Sequence, residues 1–124
     1  MLAWLSAYLV TCAVEVPLVV WLTRRLGWWG EAGPGGAAGP RLPEAVAVGW
    51  TLQLTHPVLW LVDPEPWAGL LVAEGVIVAV EALALAGWAA RRLKVSPPVG
   101  GALLVTLVAN ASSLVVGLAA ALAG

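Results

Sequence analysis

Residues 67–94 read WAGLLVAEGVIVAVEALALAGWAARRLK. From Trp67 to Ala90 only Glu74 and Glu81 are charged, and the run closes on Arg91, Arg92 and Lys94. Crossing ~30 Å of hydrocarbon takes about 20 helical residues at ~1.5 Å each. The stretch is long enough, and it lacks the strict alternation of a barrel strand. Hydrocarbon tolerates only backbones that satisfy their own hydrogen bonds, so the expectation is a membrane-spanning helix over 67–90.

Working outward, three more apolar stretches of similar length follow the same logic, at about 2–22, 44–62 and 99–122. The chain of 124 residues therefore reads as one integral membrane domain, an all-α four-helix transmembrane bundle. Composition agrees. The apolar fraction is 61% and the charged fraction 10%, against roughly 25% charged in ordinary soluble chains. A net charge of −1 offers no basic face for nucleic acid. The single cysteine, Cys12, excludes an internal disulfide or a cysteine-based zinc cluster. The first segment has no basic leader and carries Glu15 inside its apolar run, so it reads as a retained helix rather than a signal peptide. Leu9-Val10-Thr11-Cys12 resembles a lipoprotein cleavage box but lacks the preceding positive charge.

The connections are short. Residues 27–43 form a Gly/Pro-rich, flexible stretch, with Trp28 and Trp29 expected at the interface. Asp63-Pro64-Glu65-Pro66 is a tight acidic turn, and Arg91 to Pro98 a short basic one. All six basic residues lie in the first and third connections. The positive-inside rule puts those two in the cytoplasm and both termini on the outer side of the inner cell membrane, as a multi-pass protein. Trp4, Trp21, Trp60, Trp67 and Trp88, near helix ends, fit an interfacial belt.

Within these runs stand Glu15, Gln53, His56, Glu74, Glu81, Asn110 and Ser113. An ionised side chain at mid-bilayer costs about 2.5–3.5 kcal/mol on insertion scales, so it faces protein or a watery cavity. Counted from the outer helix ends, His56 and Glu74 fall roughly 10 Å deep, and Glu15, Glu81 and Asn110 about 18–21 Å. Two layers are expected: Gln53, His56 and Glu74 in one, Glu15, Glu81, Asn110 and Ser113 in the other. Glu74 and Glu81, seven apart, share a face; so do Gln53 with His56 and Asn110 with Ser113. One polar stripe per helix would then meet on a common axis and form an ion or proton site.

Pro17 follows Glu15 by two residues and Pro57 follows His56 directly. A proline inside a helix frees the carbonyl four residues back. Those acceptors would be Ala13 and Gln53, beside the ionisable groups; ordinary kinks re-satisfied by neighbours are the other reading. Ala109, Ser113 and Gly117, four apart, form a small-residue packing seam. A lone histidine cannot supply both axial ligands of a haem. His56 with Glu74 and a second carboxylate is a candidate ligand set for zinc or iron, and a hydrogen-bonded His–Glu pair is the other assignment.

Four helices, a short chain and Glu15 midway along the first helix resemble the small multidrug resistance transporters. That likeness covers length and Glu15. The set Glu15-Val16-Pro17, Thr55-His56-Pro57, Glu74 with Glu81, and Asn110 with Ser113 is similar to small uncharacterised four-helix bacterial membrane proteins, across all four helices.

Three functions compete. The polar stripe binds or conducts protons or a cation, as in a transporter. Alternatively, the chain is an accessory or structural subunit of a larger membrane complex, its polar groups holding helices together; the partners expected are the lipid bilayer and either further copies of the chain or that larger complex. The third is an intramembrane enzyme with a His56/Glu74 metal site, although no H-E-x-x-H spacing is present.

Overall fold

The structure is a computed structural model that describes residues 2–28, 41–62, 67–93 and 99–123. All of its regular elements are helices. They are α1 (Leu2–Arg25), α2 (Leu42–Leu52), a 3₁₀ turn (Gln53–Thr55), α3 (His56–Val62), α4 (Trp67–Leu93) and α5 (Val99–Ala123). α1, α4 and α5 are each long and apolar enough to cross a membrane. The stretch expected as one helix over 44–62 is instead a helix, a 3₁₀ turn and a short helix in sequence, starting at Leu42.

That break has a local cause. Pro57 has no N–H for the Gln53 carbonyl, and the chain tightens so that the His56 N–H takes that carbonyl instead. The Gln53 acceptor is therefore used, not freed. Ala13 and Pro17 are exposed, on the side of α1 turned away from buried Glu15, and α1 runs through Pro17 as a single helix. No broken backbone faces the polar groups at that point.

α1 stops where Gly27, at φ 76°, enters the left-handed region that glycine adopts without strain. Gly27 N–H bonds the Arg24 carbonyl and Trp28 N–H the Thr23 carbonyl, both at 3.1 Å. This paired closure of the last helical turn folds Trp28 back onto the bundle. Trp28 is buried in the apolar core. Trp21 is exposed, with the Arg25 guanidinium 5.5 Å over its ring. Trp29 and the side chains of Trp4, Trp60 and Trp67 lie outside the described residues, as do the connections 29–40, 63–66 and 94–98. Arg91 and Arg92 belong to the last turn of α4, not to a turn after it, and Arg24 and Arg25 end α1 likewise. Cations there complement the helix dipole.

Each long helix buries a narrow stripe at three- and four-residue spacing. On α1 it is Cys12, Glu15, Val16, Val19 and Thr23. On α4 it is Ile77, Val78, Glu81, Ala82, Leu85 and Ala89; on α5, Ala102, Val105, Thr106, Ala109, Asn110 and Ser113. The remaining surface is apolar, with Leu61, Leu71, Val72, Leu83 and Val115 well exposed. A soluble domain would not leave so much hydrocarbon in contact with water.

The helices close a ring. α5 packs on α1 and α4, α2 packs on α1, and α2 meets α4 more thinly. Gly49 is what lets α2 approach α1, since a Cβ there would lie 3.3 Å from Val16 Cγ1. Across the thin side, Arg92 Nε donates to Glu44 Oε1 at 2.8 Å. The expected seam on α5 is corrected at one end: Ala109 and Ser113 are buried, but Gly117 is exposed and a Cβ there would meet nothing. Each four-residue step turns about 40° around the helix, so Gly117 has left the buried stripe.

The core is divided along its length. Val19, Trp28, Leu52, Leu85, Ala89, Ala102 and Val105 fill the half nearer the arginines with apolar side chains. Beyond them, buried polar side chains stand among apolar ones such as Cys12, Ile77 and Val78.

Candidate functional site

The polar half of the core is built by four helices, each contributing from its buried stripe. Glu15 comes from α1, and Gln53, Thr55 and His56 from the 3₁₀ turn and the start of α3. Glu81 comes from α4, and Asn110 and Ser113 from α5. Glu15 and Gln53 are fully buried and Glu81 is 1% exposed.

The two carboxylates are held alike. Glu15 Oε2 accepts from Gln53 Nε2 at 2.9 Å, and its Oε1 accepts from the Ser113 hydroxyl. Glu81 Oε2 accepts from Asn110 Nδ2 at 2.8 Å, and its Oε1 from the Thr55 hydroxyl at 2.6 Å. Each carboxylate thus meets one amide and one hydroxyl, one from each neighbouring helix in the ring. His56 lies between them, its Nε2 3.5 Å from Glu15 Oε1 and its Nδ1 3.8 Å from Glu81 Oε1. One imidazole nitrogen and one oxygen of each carboxylate all lie within 4.8 Å of one another.

The hydroxyls add a constraint. Ser113 Oγ is 2.9 Å from the Asn110 carbonyl, and Thr55 Oγ1 is 2.8 Å from the Leu52 carbonyl. A hydroxyl has one proton and can donate it once. Toward an ionised carboxylate it donates; toward a protonated one it accepts, and sends its own proton to the backbone carbonyl. Both carboxyl groups therefore stay hydrogen-bonded in either protonation state.

Three buried side-chain atoms have no hydrogen-bond partner among the described residues: Gln53 Oε1, His56 Nδ1 and Asn110 Oδ1. The two amides turn their N–H groups to the carboxylates and leave their oxygens over. The set has two carboxylates against one imidazole and no lysine or arginine. Ionised together without compensation, two carboxylates in a low-dielectric interior are too costly to persist.

Of the residues expected at the site, Glu15, Gln53, His56, Glu81, Asn110 and Ser113 converge in one cluster. Glu74 does not. It is half-buried, about 10 Å along α4 from Glu81 by helix geometry, and makes no hydrogen bond or ion pair among the described residues. The His56–Glu74 metal pair and the two separate layers are therefore corrected to a single layer in which His56 serves Glu15 and Glu81. Counted from the ends away from the arginines, Glu15 and Asn110 are 13 residues in and Glu81 is 14, but Gln53 is only 9 from Val62, so the short second span misplaces the depth of its residues. Counted from the other ends, Gln53 is 11 residues from Leu42, Glu15 10 from Arg25, Glu81 12 from Leu93 and Asn110 11 from Val99. Those counts agree to within two residues.

Thr55 was missed as a site residue. At α-helical pitch it falls well away from the face Gln53 presents, but a 3₁₀ turn has three residues per revolution and shifts it toward Glu81. The signal available was Pro57, which leaves the Gln53 carbonyl without its α-helical donor. Comparison with known protein families, curated proteins and solved structures found no match to this chain.

Proposed function

We propose that this chain is a four-span membrane protein whose Glu15–His56–Glu81 cluster takes up and releases a positive charge, proton or cation, as the working centre of a small transporter. The α2–turn–α3 segment supplies the second span, Leu42 to Val62. The arginine-bearing ends are cytoplasmic and both termini face outward, as the charge distribution favours. The protein resides in the inner cell membrane.

One observation carries this reading. Two buried carboxylates share one imidazole, and each is paired with a hydroxyl that can reverse its donation. A purely structural polar contact needs one satisfied state. This arrangement has two, and it demands positive charge that the protein's own side chains do not fully supply.

The test is flux in reconstituted vesicles loaded with a pH-sensitive dye. Wild-type chain should dissipate an imposed proton gradient, alone or with a co-supplied cation. Glu81→Gln and Glu15→Gln, which keep shape and amide-type hydrogen bonding, should abolish it while still inserting as helix. Gradient dissipation by both variants at the wild-type rate would refute the reading.

A further inference from the structure

We infer that the cluster is a binding site for a divalent transition-metal ion of the zinc type, with Glu15, His56 and Glu81 as its protein ligands. The inference rests on the charge-exchange reading above and names the cation. A tetrahedral ion with bonds of about 2.0 Å sets its donors roughly 3.3 Å apart. His56 Nδ1 and Glu81 Oε1 are already 3.8 Å apart, and one imidazole nitrogen with one oxygen each of Glu15 and Glu81 lie within 4.8 Å of one another.

Ligand chemistry selects the ion. Magnesium and calcium take six or more oxygen donors, whereas an imidazole with two carboxylates suits zinc and its neighbours. Charge points the same way: two carboxylates and a neutral imidazole balance a divalent cation in full. A monovalent ion would leave one negative charge in the interior. The other titratable groups on these helices in the polar half are Tyr8 and Cys12 on α1 and Glu74 on α4; α5 has none.

A second, independent observation supports a ligand here. His56 Nδ1 is buried, turned toward Glu81 and without a hydrogen-bond partner among the described residues. An unused imidazole nitrogen in a dry interior is costly unless something binds it. Gln53 Oε1 and Asn110 Oδ1 are unpartnered as well, and both belong to side chains that orient the carboxylates. Neutral oxygen donors therefore stand beside the ligand set, and ligand-orienting bonds of this kind support metal sites.

The test uses the full chain in detergent, stripped with a chelator and titrated with cobalt(II) as a spectroscopic probe for zinc. One cobalt per chain should bind with the intense visible absorption of four-coordinate geometry and be displaced by zinc. His56→Asn and Glu81→Gln should each weaken binding by more than about 100-fold, beyond the loss typical of an outer-shell change. Glu74→Gln, which alters only a through-space charge near His56 and Glu15, should weaken it far less than either. Where a variant fails to fold, X-ray absorption of the zinc-loaded wild type decides: imidazole scattering in the ligand shell supports the assignment and its absence overturns it. No saturable binding, or equal loss in Glu74→Gln, also overturns it. If metal fails to bind while Glu81→Gln still stops vesicle flux, the metal assignment falls and the charge-exchange reading stands. If both fail, both fall.

Discussion

Thr55 Oγ1 donates to Glu81 Oε1 at 2.6 Å across the junction of the 3₁₀ turn with α4. The same oxygen lies 2.8 Å from the Leu52 carbonyl. Its proton can therefore go to the site or to its own helix. Thr55→Val keeps the shape and removes the choice. The expected outcome is loss of most vesicle flux, with Thr55→Ser restoring it. Thermal unfolding in detergent should shift by about 1–3 kcal/mol, the cost of leaving one buried acceptor without its partner. Full flux in the valine variant would show that the hydroxyl is a structural contact only.

Glycines at two positions should respond oppositely to enlargement. A Cβ on Gly49 would meet Val16 Cγ1 at 3.3 Å, and the Val16 backbone lies just behind. Gly49→Leu should force α1 and α2 apart, at a cost of about 1–3 kcal/mol or more from overpacking. Gly117 has open space around it, so Gly117→Ala should be neutral or stabilise by up to about 1 kcal/mol through helix propensity. Paired melting curves in one detergent check both signs.

Leu85 and Leu83 are two residues apart on α4 and face opposite worlds. Leu85 is 0% exposed within the apolar half of the core, while Leu83 is 66% exposed. Leu85→Ala should destabilise by about 2–5 kcal/mol through the cavity it leaves. Leu83→Ala should change stability by less than about 1 kcal/mol, because lipid or detergent refills the space. Equal effects at both positions would mean that α4 is rotated from the orientation described.

Much of this molecule was legible in the chain. Long apolar runs, interrupted by Pro- and Gly-rich connections, leave helices as the only backbone a bilayer accepts, and the observed helices overlap all four expected stretches. The polar residues also announced themselves, because hydrocarbon makes Glu15, His56 and Glu81 conspicuous. Three-residue spacing placed Asn110 and Ser113 on one face, and both do reach carboxylates.

Partnership was a different matter. Spacing along one helix says which side chains share its face, not which face of another helix they meet. Counting by sequence puts Glu74 in the layer of His56 and Glu81 in another, yet it is Glu81 that meets His56 and Thr55 as well as Asn110. Level depends on where each helix ends and how the ring closes, and no single segment carries that information. Likewise Trp28, an interfacial residue by composition, is buried because the turn at Gly27 folds it inward. The sequence by itself determined the helices and the price of their polar groups. Only the tertiary structure decided who pairs with whom, since a hydrogen bond is satisfied at about 3 Å or not at all.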